Sequence, residues 1–200
     1  GETWIHLNYS LINFSISDLD INSNGHLFVF ICGRGIYRST DNGESWEEII
    51  TGLTYYNSLN ELYIPKTGPI KDYLFVSVSE LSAFNSIFRS YDNGESWELM
   101  NYSDDWYRVY TFVSNSDGII FIGLGDTAPH SNNGLIFKSI NFGFDWISLI
   151  STSNITELVL DNNEFIYAGT ASGWTGGCQG IIRTTNGGGI WESFNSGLAP

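Results

Sequence analysis

Two hundred residues carry a formal net charge of −14, with 22 Asp plus Glu against eight Lys plus Arg, so the chain repels phosphate backbones and anionic lipid surfaces. Hydrophobic residues make up 42% and aromatics 16%, enough for one domain with a sizeable core, and this argues against disorder. No apolar run approaches the roughly 20 residues of a membrane span, and residues 1–12 lack the basic start and apolar core of a signal peptide, so neither membrane insertion nor nucleic-acid binding is expected.

The chain opens on "GETWIHL", whose Gly1 to Trp4 match the back half of a turn that recurs four times further on. Residues 1–12 are therefore expected to supply the last strand of a preceding repeat. Residues 13–51 read as three strands, "ISDLDIN" (A), "GHLFVFI" (B) and "GIYRS" (C), then the turn "STDNGESW" with Ser39, Asp41, Gly43 and Trp46, then strand D, "WEEII". Residues 57–102 repeat that order with "LNELYIP", "DYLFVSV", "SIFRS", a turn carrying Ser90, Asp92, Gly94 and Trp97, and "WELMN". Residues 107–151 follow with "VYTFVSN", "GIIFIGL", "LIFKS", a turn carrying Ser139, Asn141, Gly143 and Trp146, and "WISLI". Residues 155–196 close the series with "ITELVLD", "NEFIYAG", "GIIRT", a turn carrying Thr184, Asn186, Gly188 and Trp191, and "WESFN".

The four turn Trp residues stand 51, 49 and 45 positions apart, and no helical period lies between them. Four antiparallel strands repeated at this period predict an all-β fold, a β-propeller with about four blades. The turn's chemistry suits a staple. Glycine supplies the positive φ of a tight hairpin, the Asp or Asn oxygen accepts nearby backbone N–H groups, and the Trp ring packs between sheets. The competing reading is a metal loop, but "DNGES" lacks the twelve-residue span and terminal Glu of a calcium loop. Cys32 and Cys178 make neither a disulfide framework nor a zinc site, and no metal or cofactor is expected.

The frame Ser/Thr-x-Asp/Asn-x-Gly-x-x-Trp resembles the Asp-box, or BNR repeat, and the resemblance covers essentially the whole chain. Proteins with this repeat include sialidases, xyloglucan-active glycoside hydrolases, sortilin-type receptors, photosystem assembly factors and many secreted bacterial proteins. The resemblance implies a propeller and an extracellular or periplasmic setting, and says little of activity. Five D strands against four sets of A, B and C suggest part of a larger ring, which would tend to self-associate. A closed four-blade ring with the first strand displaced is the alternative.

In such a scaffold the B–C and D–A loops share the face that usually binds ligands, and here they vary while the C–D turns do not. That directs attention to Asp126 and His130 in the third B–C loop, to Trp174 in the fourth, and to Tyr55, Tyr56, Asp104, Asp105, Trp106 and Tyr107 in the D–A loops. Aromatic rings beside carboxylates suit carbohydrate or protein ligands. The plainer reading has Trp106 capping a blade, Trp174 plugging a loop and His130 solvated.

A sialidase-like site demands three convergent Arg residues. Arg38, Arg89, Lys138 and Arg183 share one strand position and are expected to pair with acids on their own blades, which leaves only Arg34 and Arg108. A xyloglucanase-like site demands two carboxylates across a cleft, for which Asp104, Asp105 and Asp126 are the weak candidates. The sequence therefore reads as a non-catalytic module that binds carbohydrate or protein. A fragment of a glycoside hydrolase and the sensor propeller of a membrane receptor are the alternatives.

Overall fold

The computed structural model describes residues 11, 13–53, 59–79, 85–100, 107–126, 133–171 and 179–197. β1 (Ile16–Ile21), β2 (Leu27–Ile31), β3 (Gly35–Ser39) and β4 (Glu47–Glu48) form sheet 1, and β5 (Leu59–Tyr63), β6 (Leu74–Ser79), β7 (Asn85–Ser90) and β8 (Glu98–Leu99) form sheet 2. Sheet 3 contains β9 (Tyr107–Ser114), β10 (Ile120–Asp126), β11 (Gly134–Ser139) and β12 (Ile147–Thr152). Sheet 4 contains β13 (Asn154–Leu160), β14 (Ile166–Ala171), β15 (Ile181–Thr184) and β16 (Glu192–Ser193). Each is an antiparallel meander in chain order, as the A–B–C–D reading predicts, and the C–D connection is the Trp-terminated turn.

Strand alternation gives each sheet a front face toward the next sheet and a rear face toward the previous one. Phe28 and Phe30 leave the front of sheet 1 and meet Leu62, Ile64, Leu74 and Val76 from the rear of sheet 2. Phe75 and Ile87, on the front of sheet 2, meet Val109, Phe112 and Ile122 of sheet 3. Phe121 and Ile136 meet Ile155, Leu158 and Ala168 of sheet 4. Burying one such Phe is worth about 2–3 kcal/mol, so these cores hold the sheets face to face.

Four sheets thus make three apolar interfaces. On the rear of sheet 1, Ile16, Leu19 and Ile21 are exposed at 48%, 59% and 46%, and on the front of sheet 4 Val159 is 52% exposed. Among the described residues the stack is open, since a closed four-sheet ring would bury both faces. The expected extra strand at Gly1–Trp4 lies outside the described residues.

The A–B turns form a second repeated staple that sequence reading did not isolate. Asn22 Oδ1 accepts the N–H groups of Asn24 and His26, Asn115 Oδ1 those of Asp117 and Ile119, and Asp161 Oδ1 those of Asn163 and Phe165. These turns also tie sheets together, since the Asp72 carboxylate takes the Ser23 N–H and hydroxyl, and Glu164 takes those of Ser116.

Candidate functional site

The A–B and C–D turns occupy one end of the stack, and their polar groups are engaged in holding it. At the first C–D turn the Ser39 hydroxyl accepts the Gly43 N–H (2.8 Å) and donates to Asp41 Oδ1 (2.8 Å). Asp41 in turn accepts the Ser45 N–H (2.9 Å) and hydroxyl (2.5 Å). Ser90, Asp92, Gly94 and Ser96 repeat the arrangement. In the last two turns Asn141 and Asn186 keep the acceptor, taking the N–H groups of Asp145 and Ile190 at 2.9 Å. Ser139 and Thr184 take those of Gly143 (2.8 Å) and Gly188 (3.1 Å).

The hydroxyl and N–H of Ser45, with the Ser39 hydroxyl, pull the Asp41 pKa down to about 2. Burial works against ionisation of Asp92, but the Ser96 hydroxyl and N–H outweigh it and lower its pKa. The hairpin passes through two left-handed residues, not through glycine alone: Asn42 (φ 62°) precedes Gly43 (91°), and Phe142 (62°) precedes Gly143 (92°).

Three of the four C-strand bases pair with acids on their own sheets, Arg38 with Glu47, Arg89 with Glu98 and Arg183 with Glu192, whereas Lys138 faces Ile147 across its ladder and makes no such pair among the described residues. They also reach forward. Arg38 Nη1 donates to the Asn93 carbonyl (2.7 Å), Arg89 Nη1 to the Phe142 carbonyl (2.7 Å) and Lys138 Nζ to the Gly187 carbonyl (3.2 Å). Each acceptor is the residue before the turn glycine of the following sheet. Trp97 strengthens the first joint, being 7% exposed with its Nε1 donating to the Ile49 carbonyl (2.8 Å). Trp46, Trp146 and Trp191 are only half-buried, and the buried Nε1 atoms of Trp146 and Trp191 find no acceptor among the described residues.

The innermost strands hold carboxylates that were not picked out from the sequence. By ladder register Asp18, Glu61, Thr111 and Glu157 occupy one position in the four sheets. Asp18 accepts the Leu62 N–H (2.8 Å), Asp20 accepts the Ile64 N–H (3.0 Å) and pairs with Lys66, and Thr111 donates to Glu157 (3.2 Å). Burial, followed by the nearby charges of Asp18, Glu157 and Asp20, pushes the Glu61 carboxyl up to about 8. A carboxyl held protonated beside carboxylates is a chemically competent proton donor. The signal was legible in hindsight, as three of the four A strands carry an acid at that place, "SDL", "NEL" and "TEL".

At the opposite end, Tyr107 begins β9 and Asp126 ends β10, and the two are direct cross-strand partners. Tyr107 packs, partly buried, against the core between sheets 2 and 3. The Asp126 N–H donates to the Asn133 carbonyl (3.0 Å) and to Asn154 Oδ1 (3.0 Å), which fixes this corner against sheet 4. Arg108 follows Tyr107, and its Nε is buried without a partner among the described residues. Tyr55, Tyr56, Asp104, Asp105, Trp106, His130 and Trp174, together with Cys178, lie outside the described residues.

Open stacking of four-stranded sheets around repeated Trp turns defines a partial β-propeller. No protein-family model matches the sequence. The chain is 25% identical over 211 residues to the xyloglucanase Xgh74A of Acetivibrio thermocellus, covering 88% of this chain and 24% of that protein. It therefore spans about a quarter of the length of that relative. An ancestral GH74 enzyme superposes with a TM-score of 0.69 at 20% identity, over 90% of this chain and 24% of that one. The GH74 xyloglucanase of Xanthomonas campestris gives 0.67 at 18%, over 87% and 29%. YCF48 of Cyanidioschyzon merolae gives 0.60 at 14%, over 90% and 56%. The fold is that of the xyloglucanase- and sialidase-like propellers.

Proposed function

We propose that this chain is an Asp-box propeller module of an exported protein that binds a polysaccharide of the xyloglucan type without cleaving it. The observation that carries the reading is the Tyr107–Asp126 pair, an aromatic ring and a carboxylate in register at the end of the stack not taken up by staples. A ring of that kind stacks on the C–H face of a pyranose while the carboxylate accepts its hydroxyls. Asp104, Asp105 and Trp106 directly precede Tyr107 in sequence and His130 closely follows Asp126, so the adjoining segments carry the same residue types, as do the segments with Tyr55, Tyr56 and Trp174. Similarity to a xyloglucanase supports the choice of polysaccharide, and the Asp-box resemblance supports an extracellular or periplasmic location.

Native affinity electrophoresis in gels containing xyloglucan tests the reading. Retardation of the wild-type chain is expected, with binding weakened about tenfold or more by Tyr107→Ala combined with Asp126→Asn. Unretarded migration of the wild type would overturn it. A second reading is favoured by one observation, the half-buried Glu61 at the same ladder position as Asp18 and Glu157 of sheets 1 and 4: a hydrolase in which Glu61, its carboxyl pushed up by burial, donates the proton to the leaving oxygen. Release of reducing ends, abolished by Glu61→Gln, would establish it in place of the first.

A further inference from the structure

The joint between sheets 3 and 4 lacks what the other two joints set upon their bases. In the first, Glu95 of the following turn brings its carboxylate to Arg38 Nη2 (2.6 Å). In the second, Phe144 holds the same turn position, and its ring centroid is 4.4 Å from the Arg89 guanidinium carbon. The corresponding residue of sheet 4 is Gly189. Lys138 also faces Ile147 across its own ladder, and no ion pair reaches it among the described residues. It donates to the Gly187 carbonyl (3.2 Å) and stands 5.5 Å from the Phe121 ring centroid. An ammonium has three N–H donors, so two remain for a ligand.

Beside this base the two sheets leave a cleft of about 280 Å³. On the sheet 4 side Asn186 spends its Oδ1 on the Thr184 hydroxyl and the Ile190 N–H, while its Nδ2 has no partner among the described residues. Glu164 is the acceptor of the cleft. Its carboxylate takes the Ser116 hydroxyl and N–H and Asn115 Nδ2 (3.2 Å), and the Ser116 bonds hold its pKa below the usual value. An ionised Glu164 repels a second negative charge and requires donors from anything beside it. Half-buried Ile119 and Leu160 supply an apolar wall.

We infer that this cleft binds a small hydroxylated monocarboxylate. The ligand carboxylate accepts from Lys138 Nζ and Asn186 Nδ2, doing for Lys138 what Glu95 does for Arg38. Its hydroxyls donate to Glu164, and its carbon chain rests on Ile119 and Leu160. A water's share of the liquid is about 30 Å³, so the cleft has room for roughly nine waters, enough for an acid of about six carbons. The site lies among the A–B and C–D turns, at the end of the stack opposite Tyr107 and Asp126, and is independent of polysaccharide binding there.

Saturation-transfer NMR titrations of the whole chain with sodium gluconate test this. The wild type is expected to bind gluconate with a Kd of about 1 mM, and to bind sorbitol, which lacks the carboxylate, and hexanoate, which lacks the hydroxyls, at least about tenfold more weakly. Lys138→Met keeps most of the stem but removes the charge, and should weaken gluconate binding about tenfold or more. Gly189→Glu gives the third joint the carboxylate of the first. It should abolish gluconate binding while melting no lower than the wild type, which separates loss of the site from loss of the fold. Tyr107→Ala combined with Asp126→Asn should leave gluconate binding unchanged. A wild type that ignores gluconate at about 20 mM, sorbitol or hexanoate binding as tightly as gluconate, or a Gly189→Glu chain that binds like the wild type would each overturn the inference.

Discussion

The joint between sheets 1 and 2 and the joint between sheets 3 and 4 follow the same plan with different quality. In the first, Arg38 bonds Glu47, Glu95 and the Asn93 carbonyl together, and Trp97 is buried with its N–H satisfied. The Asn93 side chain also accepts from Asn22 Nδ2 (2.9 Å), closing the space above the base. In the third, Lys138 makes a single longer bond to a carbonyl, and Trp191 is half-buried with its N–H unpaired among the described residues. Gly187, standing where Asn93 and Phe142 stand, has no side chain to fill the gap, and a cleft of about 280 Å³ opens between Lys138, Asn115 and Glu164. A repeated motif therefore guarantees the hairpin, while the strength of the joint depends on what the variable positions contribute.

The largest test is removal of the indole. Trp97→Ala should destabilise the chain by about 4 kcal/mol in urea titrations, through lost packing and an orphaned Ile49 carbonyl, and Trp191→Ala by roughly half as much. Equal losses would mean that the two joints are not different in kind. Exchanging the bases comes next. Arg38→Lys should cost about 1–2 kcal/mol because one ammonium cannot replace the guanidinium fork, whereas Lys138→Arg should be neutral or gain a few tenths. Glu61 allows a test by pH. Its carboxyl holds a proton up to about 8 in the folded chain but ionises near 4.5 when unfolded, so its contribution is complete below that lower value and is lost as pH rises through about 8. Glu61→Gln should remove that loss and leave the variant about 1–2 kcal/mol more stable than wild type at pH 9. The smallest effect is expected of Gly187→Asn. The backbone there is already left-handed (φ 67°), as at Asn93 (φ 59°), so asparagine fits, closes part of the cleft and raises stability by about 0.5 kcal/mol.

Much of the architecture was legible in the sequence because the C–D turn is closed by bonds within eight residues. The hydroxyl, the Asp or Asn oxygen and the glycine all act on their own segment, so "STDNGESW" announces the hairpin wherever it stands. Asn in place of Asp at 141 and 186 keeps the staple, because an amide oxygen accepts the same N–H. The candidate site was less legible. Tyr107 and Asp126 are 19 positions apart in sequence, and only the register of β9 against β10 makes them neighbours. Glu61 stands in an alternating strand like many solvated acids, and its raised pKa comes first from burial between the sheets and then from the carboxylates of sheets 1 and 4.

From its own residues the sequence determined the strands, their order, the four hairpins and the alternation that gives every sheet two apolar faces, since each of these rests on contacts local to one repeat. Tertiary structure alone decided that Arg38, Arg89 and Lys138 reach the next sheet and that burial pushes the Glu61 carboxyl up. Those outcomes depend on groups about 50 residues away, whose distance is set only when apolar burial brings whole sheets together.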